Sequence, residues 1–242
     1  MNESVRLQKY LAEQGVASRR GADQMVLDGR VEVDGAIAEP GTKIVPGKSV
    51  VKVDGRRIIA RQKPTITLAL HKPKGYLCSH NDPHHQKTVF DLLPLPLQKE
   101  RLLIAGRLDL ESEGLLILTN DGDLAQRLTH PTNRVIKRYR VELDRTFADE
   151  DRNKLINGIV WEGERLKVER VVTNAAKGPE SGRRLEVHLN HGKKREIRRL
   201  FYALGYDVRY LQRFQIGQFN LKGLSAGTMQ VLGRNEIRRL LS

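Results

Sequence analysis

The sequence predicts an α+β protein in two parts. Residues 1–62 read as a small unit of two helices followed by antiparallel β-structure, and residues 63–242 as a larger unit with a mixed, largely antiparallel sheet flanked by helices. Three observations predict it. Apolar residues recur first at helical spacing and, after Gly29, at a period of two. The polar run Ala60-Arg61-Gln62-Lys63-Pro64 separates two stretches of chain and reads as a linker. Beyond it, strand and helix patterns intermingle without a regular βαβ rhythm.

In chain order, Leu7, Tyr10 and Leu11 form one helical stripe that stops at Gly15. Ser18 offers an N-cap to a second helix carrying Ala22, Met25 and Val26, with Gly29 as its C′ residue. Val31 and Val33 lead into Asp34-Gly35, and Val51 and Val53 into Asp54-Gly55. Asp-Gly between apolar alternations predicts hairpins, because both turn residues must tolerate positive φ. In the larger unit, alternation predicts strands at Ile66/Leu68/Leu70, Tyr139/Val141/Leu143 and Leu185/Val187/Leu189. Helices are expected over residues 123–130, 149–157, 194–204 and 234–241.

With 43 Lys and Arg against 29 Asp and Glu, the 242-residue chain has a formal charge of +14, which points to a polyanionic partner. The longest apolar run, Leu200 to Leu204, has five residues, whereas a membrane-spanning helix needs about 20. The N-terminus shows no secretory pattern, and the single Cys78 excludes an internal disulfide, so a cytoplasmic location is expected. Aromatic residues make up only 5%, too few for a mechanism built on stacking single strands.

Several apparent motifs fail. Gly41 to Ser49 imitates a phosphate loop, but its glycines are wrongly spaced, Pro46 removes a donor, and a strand pattern follows. His80, Asp82, His84 and His85 do not match a zinc spacing and read as a polar loop, so no metal is expected. Asp109, Glu111 and Glu113 would share a face on a strand and could form a glycosidase-type carboxylate pair, yet nothing places a sugar pocket around them.

The stretch Gly106-Arg107-Leu108-Asp109-Leu110-Glu111-Ser112-Glu113-Gly114, running on to Thr119-Asn120-Asp121-Gly122, is a polar acidic loop feeding an apolar strand that ends in an Asn-Asp-Gly turn. In so basic a chain its carboxylates either pair with nearby arginines or do chemistry; both readings stand at this level.

These residues resemble the central motif of the pseudouridine synthases of the RsuA/RluB/RluE/RluF group. Three further segments agree, in the family's order: His71-Lys72-Pro73-Lys74-Gly75-Tyr76, Lys137-Arg138-Tyr139, and Gly192 through Phe201. The N-terminal stretch from Arg6 to Ala22, with Gly29 to Gly35, resembles the S4-type RNA-binding domain, apart from Gly21, where a helix former is usual. Residues 1–63 carry 12 Lys and Arg against 8 Asp and Glu, and Arg19 and Arg20 sit at a helix start suited to phosphate.

The resemblance implies the pseudouridine synthase fold and an enzyme that isomerises a uridine of ribosomal RNA, leaning to the large subunit, by flipping the nucleotide out of its helix. It implies that Asp109 acts at the ribose C1′, that Tyr139 packs against the uracil and assists proton removal at C5, and that Arg198 pairs with Asp109. Arg107 would fill the space left in the stack. No cofactor is implied. The expected partner is ribosomal RNA, free or in partly assembled particles, with the protein acting as a monomer.

The late motif reads as an amphipathic helix with Ile197, Leu200, Phe201 and Leu204 on one face and Arg195, Arg198, Arg199 and Tyr202 on the other. Residues 193–213 hold seven Lys and Arg against Glu196 and Asp207, a charge that fits a groove wall for phosphates. Lys193, Arg195 and Arg199 are therefore candidate RNA contacts, although a solvated basic face explains Arg195 and Arg199 as well. Lys72 is either a substrate contact or a surface lysine before a turn. The rival functions are a non-catalytic RNA-binding or ribosome-assembly protein and a glycosidase releasing free uracil.

Overall fold

A computed structural model describes residues 4–59, 64–80, 87–173 and 182–242. Linker residues 60–63, and Asp82, His84 and His85, lie outside the described residues. The chain forms two compact units, residues 1–64 and 65–242.

In the first unit, β1 (Val5–Arg6) precedes α1 (Leu7–Glu13) and α2 (Arg19–Leu27). Leu7, Tyr10 and Leu11 meet Ala22 and Val26 in one core, as their spacing requires. Ser18 caps α2 by accepting the Gly21 N–H at 2.9 Å. A Cβ at position 21 would lie 3.2 Å from the Ser18 Oγ and 3.3 Å from the Ala17 Cβ, so the departure to glycine relieves crowding at this cap. Then follow β2 (Val31–Val33), β3 (Ala36–Ile37), β4 (Lys43–Ile44), β5 (Val51–Val53) and β6 (Arg56–Arg57). Asp34 and Gly35 turn at φ 51° and 91°, Asp54 and Gly55 at 50° and 75°, giving both expected hairpins in a sheet ordered β3-β2-β5-β6. The Gly41–Ser49 segment holds β4 and a turn and leads into β5, so no helix follows it.

The second unit begins with β7 (Thr67–Lys72), α3 (Leu95–Gln98), β8 (Leu103–Ala105), β9 (Glu113–Thr119), α4 (Gly122–Thr129) and β10 (Lys137–Leu143). It continues with α5 (Asp151–Asn157), the hairpin β11 (Ile159–Trp161) and β12 (Glu164–Leu166), β13 (Arg170–Thr173) and β14 (Arg184–Leu189). It ends with α6 (Glu196–Ala203), β15 (Val208–Ile216), β16 (Phe219–Asn220), β17 (Met229–Val231) and α7 (Arg234–Leu240). The four expected helices are α4 to α7, within a residue or two at each end.

The main sheet runs β13-β14-β10-β15-β9-β7-β17, with β16 on β15 and β8 on β9. Its described pairings are antiparallel except β15 with β9, which pairs Gln212 with Glu113 and Arg213 with Gly114. The sheet is thus mixed and largely antiparallel, as expected. Strand β9 carries the unbroken apolar run Leu115 to Leu118 because both its faces are covered. Leu115 and Ile117 enter one core, with Leu124 and Leu128 of α4, and Leu116 and Leu118 enter another, with Val89 and Phe90.

Two local expectations change. Asp109 and Glu111 precede β9, and only Glu113 is on the strand, so the three carboxylates do not share a strand face. Asn120-Asp121-Gly122 does not make a free turn. Asp121 caps α4, its Oδ1 accepting the N–H groups of Asp123 at 3.0 Å and Leu124 at 2.9 Å.

Candidate active site

The loop 106–112 is held from several sides by backbone contacts. Lys72 is fully buried at the end of β7, and its Nζ donates to the carbonyl oxygens of Ser112 at 2.7 Å, Asp109 at 3.1 Å, Pro73 at 3.1 Å and Leu110 at 3.4 Å. Gly75 donates its N–H to the Leu110 carbonyl at 2.9 Å. The Leu108 N–H points to the Cys78 Sγ at 3.4 Å. The Asp109 carboxylate, half-buried, is therefore carried on a backbone fixed independently of its own side chain. Lys72 is neither a surface lysine nor an RNA contact: its ammonium is spent on the loop, and burial lowers its pKa.

The loop forms one wall of a cavity of about 150 Å³ that Asp109, Arg107 and Ser112 line with Lys137, Tyr139 and Arg213. Leu108, Leu189, Ile197 and Leu211 supply apolar surface, and Glu196 and Arg195 stand at the start of α6. Strand register explains the assembly. Gly114 of β9 pairs with Arg213 of β15, and Arg213 pairs with Tyr139 of β10, so the acidic loop is brought beside Tyr139 across one row of the sheet. A register shift between Arg138 and Tyr139 sets Tyr139 opposite Arg213 instead of Phe214, a bulge beside the cavity.

The basic residues divide sharply. Arg198 donates to the Val208 carbonyl at 2.9 Å and, at 3.5 Å, to the Ser112 Oγ. No ion pair within 4.0 Å joins it to Asp109 among the described residues, so the expected direct pair is corrected to a nearby charge. Burial, and then Arg195, lower its pKa, whereas Glu111 and Asp109 raise it. Lys193 reaches Glu164 at 3.3 Å and the Arg165 carbonyl at 2.6 Å. Arg199 pairs with Glu164 at 2.7 Å and Glu162 at 3.7 Å. Both side chains thus clasp the β11–β12 hairpin, a feature that a solvated or phosphate-facing helix does not predict. Arg195 is exposed, with a left-handed backbone at φ 51°. Arg213, counted in the basic groove wall, is in fact 2% exposed and lies inside.

Residues 66–203 match the RNA pseudouridylate synthase family, and residues 5–50 match the S4 domain. The chain belongs to the RNA pseudouridylate synthase family. A Mycobacterium leprae protein named as an uncharacterized RNA pseudouridine synthase is 38% identical over 98% of this chain and 92% of its own. A Vibrio vulnificus protein named ribosomal large subunit pseudouridine synthase B is 35% identical over 99% of this chain and 75% of its own. A crystal structure of a pseudouridylate synthase aligns with a TM-score of 0.69 and 26% identity, covering 98% of this chain and 99% of that one.

Within this pseudouridine synthase, the S4 domain presents Arg19 and Arg20 exposed in the first turn of α2. The glycosidase-type trio is not a catalytic pair, because Glu113 accepts from the Tyr210 hydroxyl at 2.6 Å and Gln212 Nε2 at 3.0 Å. His80 stacks on Phe90 with ring centroids 4.4 Å apart. No group of three or more His, Cys, Asp or Glu is placed to hold a metal, and no helix is long and apolar enough to cross a membrane, among the described residues.

Three charged residues of the cavity escaped the sequence reading as site residues. Lys137 is 7% exposed, its Nζ donates to the Val135 carbonyl at 3.2 Å, and burial, with the Arg213 charge, brings its pKa down to about 8. Glu196 accepts the Lys193 N–H at 3.1 Å on Oε2, which also lies 2.8 Å from His191 Nδ1. Arg213 donates from Nε to the Leu115 carbonyl at 2.7 Å. The spacing i, i+2 on a strand could have found one of them, since Lys137 lies two before Tyr139.

Proposed function

We propose that this pseudouridine synthase acts on ribosomal RNA, leaning to the large-subunit RNA, and that Asp109 acts at the ribose C1′ of a flipped uridine. The observation that carries the reading is the cavity itself. A half-buried carboxylate on a rigid loop and a tyrosine ring share one small, partly apolar space that suits an extruded pyrimidine. The family supplies the reaction, and the large-subunit relatives supply the substrate class.

The chemistry follows from the residues. The C1′–N1 bond breaks while the Asp109 carboxylate attacks C1′ or stabilises its positive charge. The detached uracil stays in the cavity against Tyr139, turns, and rejoins C1′ through C5, which releases the carboxylate if it had bonded to C1′. C5 loses its proton, with Tyr139 assisting, and N1 ends protonated, so the base is conserved and no cofactor is consumed. Arg198 contributes a positive charge near Asp109 that helps to orient the carboxylate. Arg107, exposed at the cavity edge, fills the gap in the RNA stack. Arg195, Arg19 and Arg20 are the exposed cations that meet phosphates. The protein works as a cytoplasmic monomer on free RNA or a partly assembled particle.

The test is incubation of the purified full chain with unmodified ribosomal RNA, both free and in partly assembled particles, followed by mapping of pseudouridine. The expected result is one or a few new pseudouridines in large-subunit RNA and no free uracil. RNA recovered unchanged, or release of uracil, would overturn the reading.

A further inference from the structure

The cavity contains more buried polarity than the reaction at C1′ uses. Arg213, 2% exposed, leaves its Nη2 without a hydrogen-bond partner, and Glu196, 3% exposed, leaves Oε1 without one. Lys137 spends only one of three donors, on Val135. All three line the same cavity as Asp109 and Tyr139. Leaving a buried polar atom without a partner is costly, and these two belong to residues that line the site, where a ligand can satisfy them.

We propose that Lys137, Glu196 and Arg213 read the O2–N3–O4 edge of the uracil, two donors flanking one acceptor. This inference rests on the uridine reading above. Uracil presents acceptor, donor, acceptor along that edge, which two cations and a carboxylate complement. Cytosine presents acceptor, acceptor, donor. Its N3 faces the carboxylate lone pairs, and its amino group meets a cation that has no acceptor to offer. Exclusion of cytosine then comes from buried groups left unpaired, the strongest form of rejection available to a pocket.

The same set also suits the turning step. Exchanging N1 for C5 at C1′ requires a half-turn of the detached ring about the axis through N3 and C6. That turn interchanges O2 and O4 and leaves N3–H in place. A contact from N3–H to Glu196 lies on the axis and persists, while each carbonyl passes to the other's donor. Substrate and product rings are matched equally well, so the edge stays held while the bond to the sugar is remade. At neutral pH Lys137 remains protonated, as a donor must.

The test measures binding of four nucleoside 5′-monophosphates to the full chain by calorimetry: uridine, pseudouridine, cytidine and 3-methyluridine. Uridine and pseudouridine monophosphates are expected to bind within about threefold of each other, and the other two at least roughly tenfold more weakly. Lys137→Met is expected to shrink the preference for uridine over cytidine to about threefold or less, with thermal unfolding as the check that the fold is kept. Equal binding of cytidine and uridine monophosphates by the wild type would overturn the proposal. So would an undiminished preference in Lys137→Met, or pseudouridine monophosphate binding more than about tenfold more weakly than uridine monophosphate. Conversion of ribosomal RNA is assayed in parallel. Its absence removes the catalytic reading, whereas conversion without nucleotide discrimination removes this inference alone.

Discussion

Gly114 and Arg213 face each other in the parallel pairing of β9 with β15, and a Cβ on Gly114 would lie 2.2 Å from the Arg213 carbonyl oxygen and 2.7 Å from its nitrogen. The backbone of Gly114 also has φ 118°, which favours glycine. This contact joins the strand behind the Asp109 loop to the strand beside Tyr139. Gly114→Ala is expected to lose at least about 3 kcal/mol of stability, because backbone, not a movable side chain, blocks the methyl group. Chemical denaturation checks this, and a loss below 1 kcal/mol would show that the pairing is not so tight.

Lys72 makes a second prediction. Its ammonium satisfies carbonyls of the loop and touches no solvent. Lys72→Met leaves those buried acceptors unpaired, at a cost of about 2 kcal/mol or more, and frees the Asp109 backbone. Turnover is expected to fall at least tenfold while the RNA dissociation constant stays within about twofold. A filter-binding titration showing weakened RNA affinity instead would return Lys72 to the role of RNA contact.

Lys137 gives a pH dependence with a definite sign. Its pKa in the fold is about 8, below the ordinary 10.5. Between those values the unfolded chain holds the proton and the folded chain does not, so this residue's contribution to stability rises with pH across that window. Below it, the buried charge costs up to roughly 3 kcal/mol. Lys137→Met is therefore expected to raise Tm at pH 7, with the gain shrinking toward pH 10.5. A gain that grows with pH would contradict the placement of this ammonium.

Arg19 and Arg20 are predicted to act through phosphate. The double variant Arg19→Glu, Arg20→Glu is expected to weaken binding to ribosomal RNA and to reduce the salt dependence of affinity by about two phosphate contacts. The single-turnover rate on fully bound RNA should be retained. Unchanged affinity across a salt titration would count against this docking face.

Most of the fold was legible because local rules and tertiary structure agree. The Asp-Gly turns, the Ser18 cap and the strand alternations at Tyr139 and Leu185 each specify one conformation. The basic residues were less legible, since charge in a sequence carries no burial. Lys193 and Arg199 look like phosphate contacts until the β11–β12 hairpin brings Glu164 to both, a pairing some 30 residues distant in the chain. Lys72 looks exposed before Pro73, yet the loop around Asp109 closes over it. Arg213 was hidden by its place among surface arginines, and only the register with Tyr139 and Gly114 shows it facing the site.

Asp109 is proposed to do the chemistry while other residues hold the RNA. Asp109→Asn keeps the size of the side chain and removes its charge and nucleophilicity. Single-turnover conversion of uridine to pseudouridine, measured on RNA already bound to the variant, separates chemistry from binding. No detectable pseudouridine is expected, with RNA affinity within about threefold of wild type. Pseudouridine formed at the wild-type rate would contradict it.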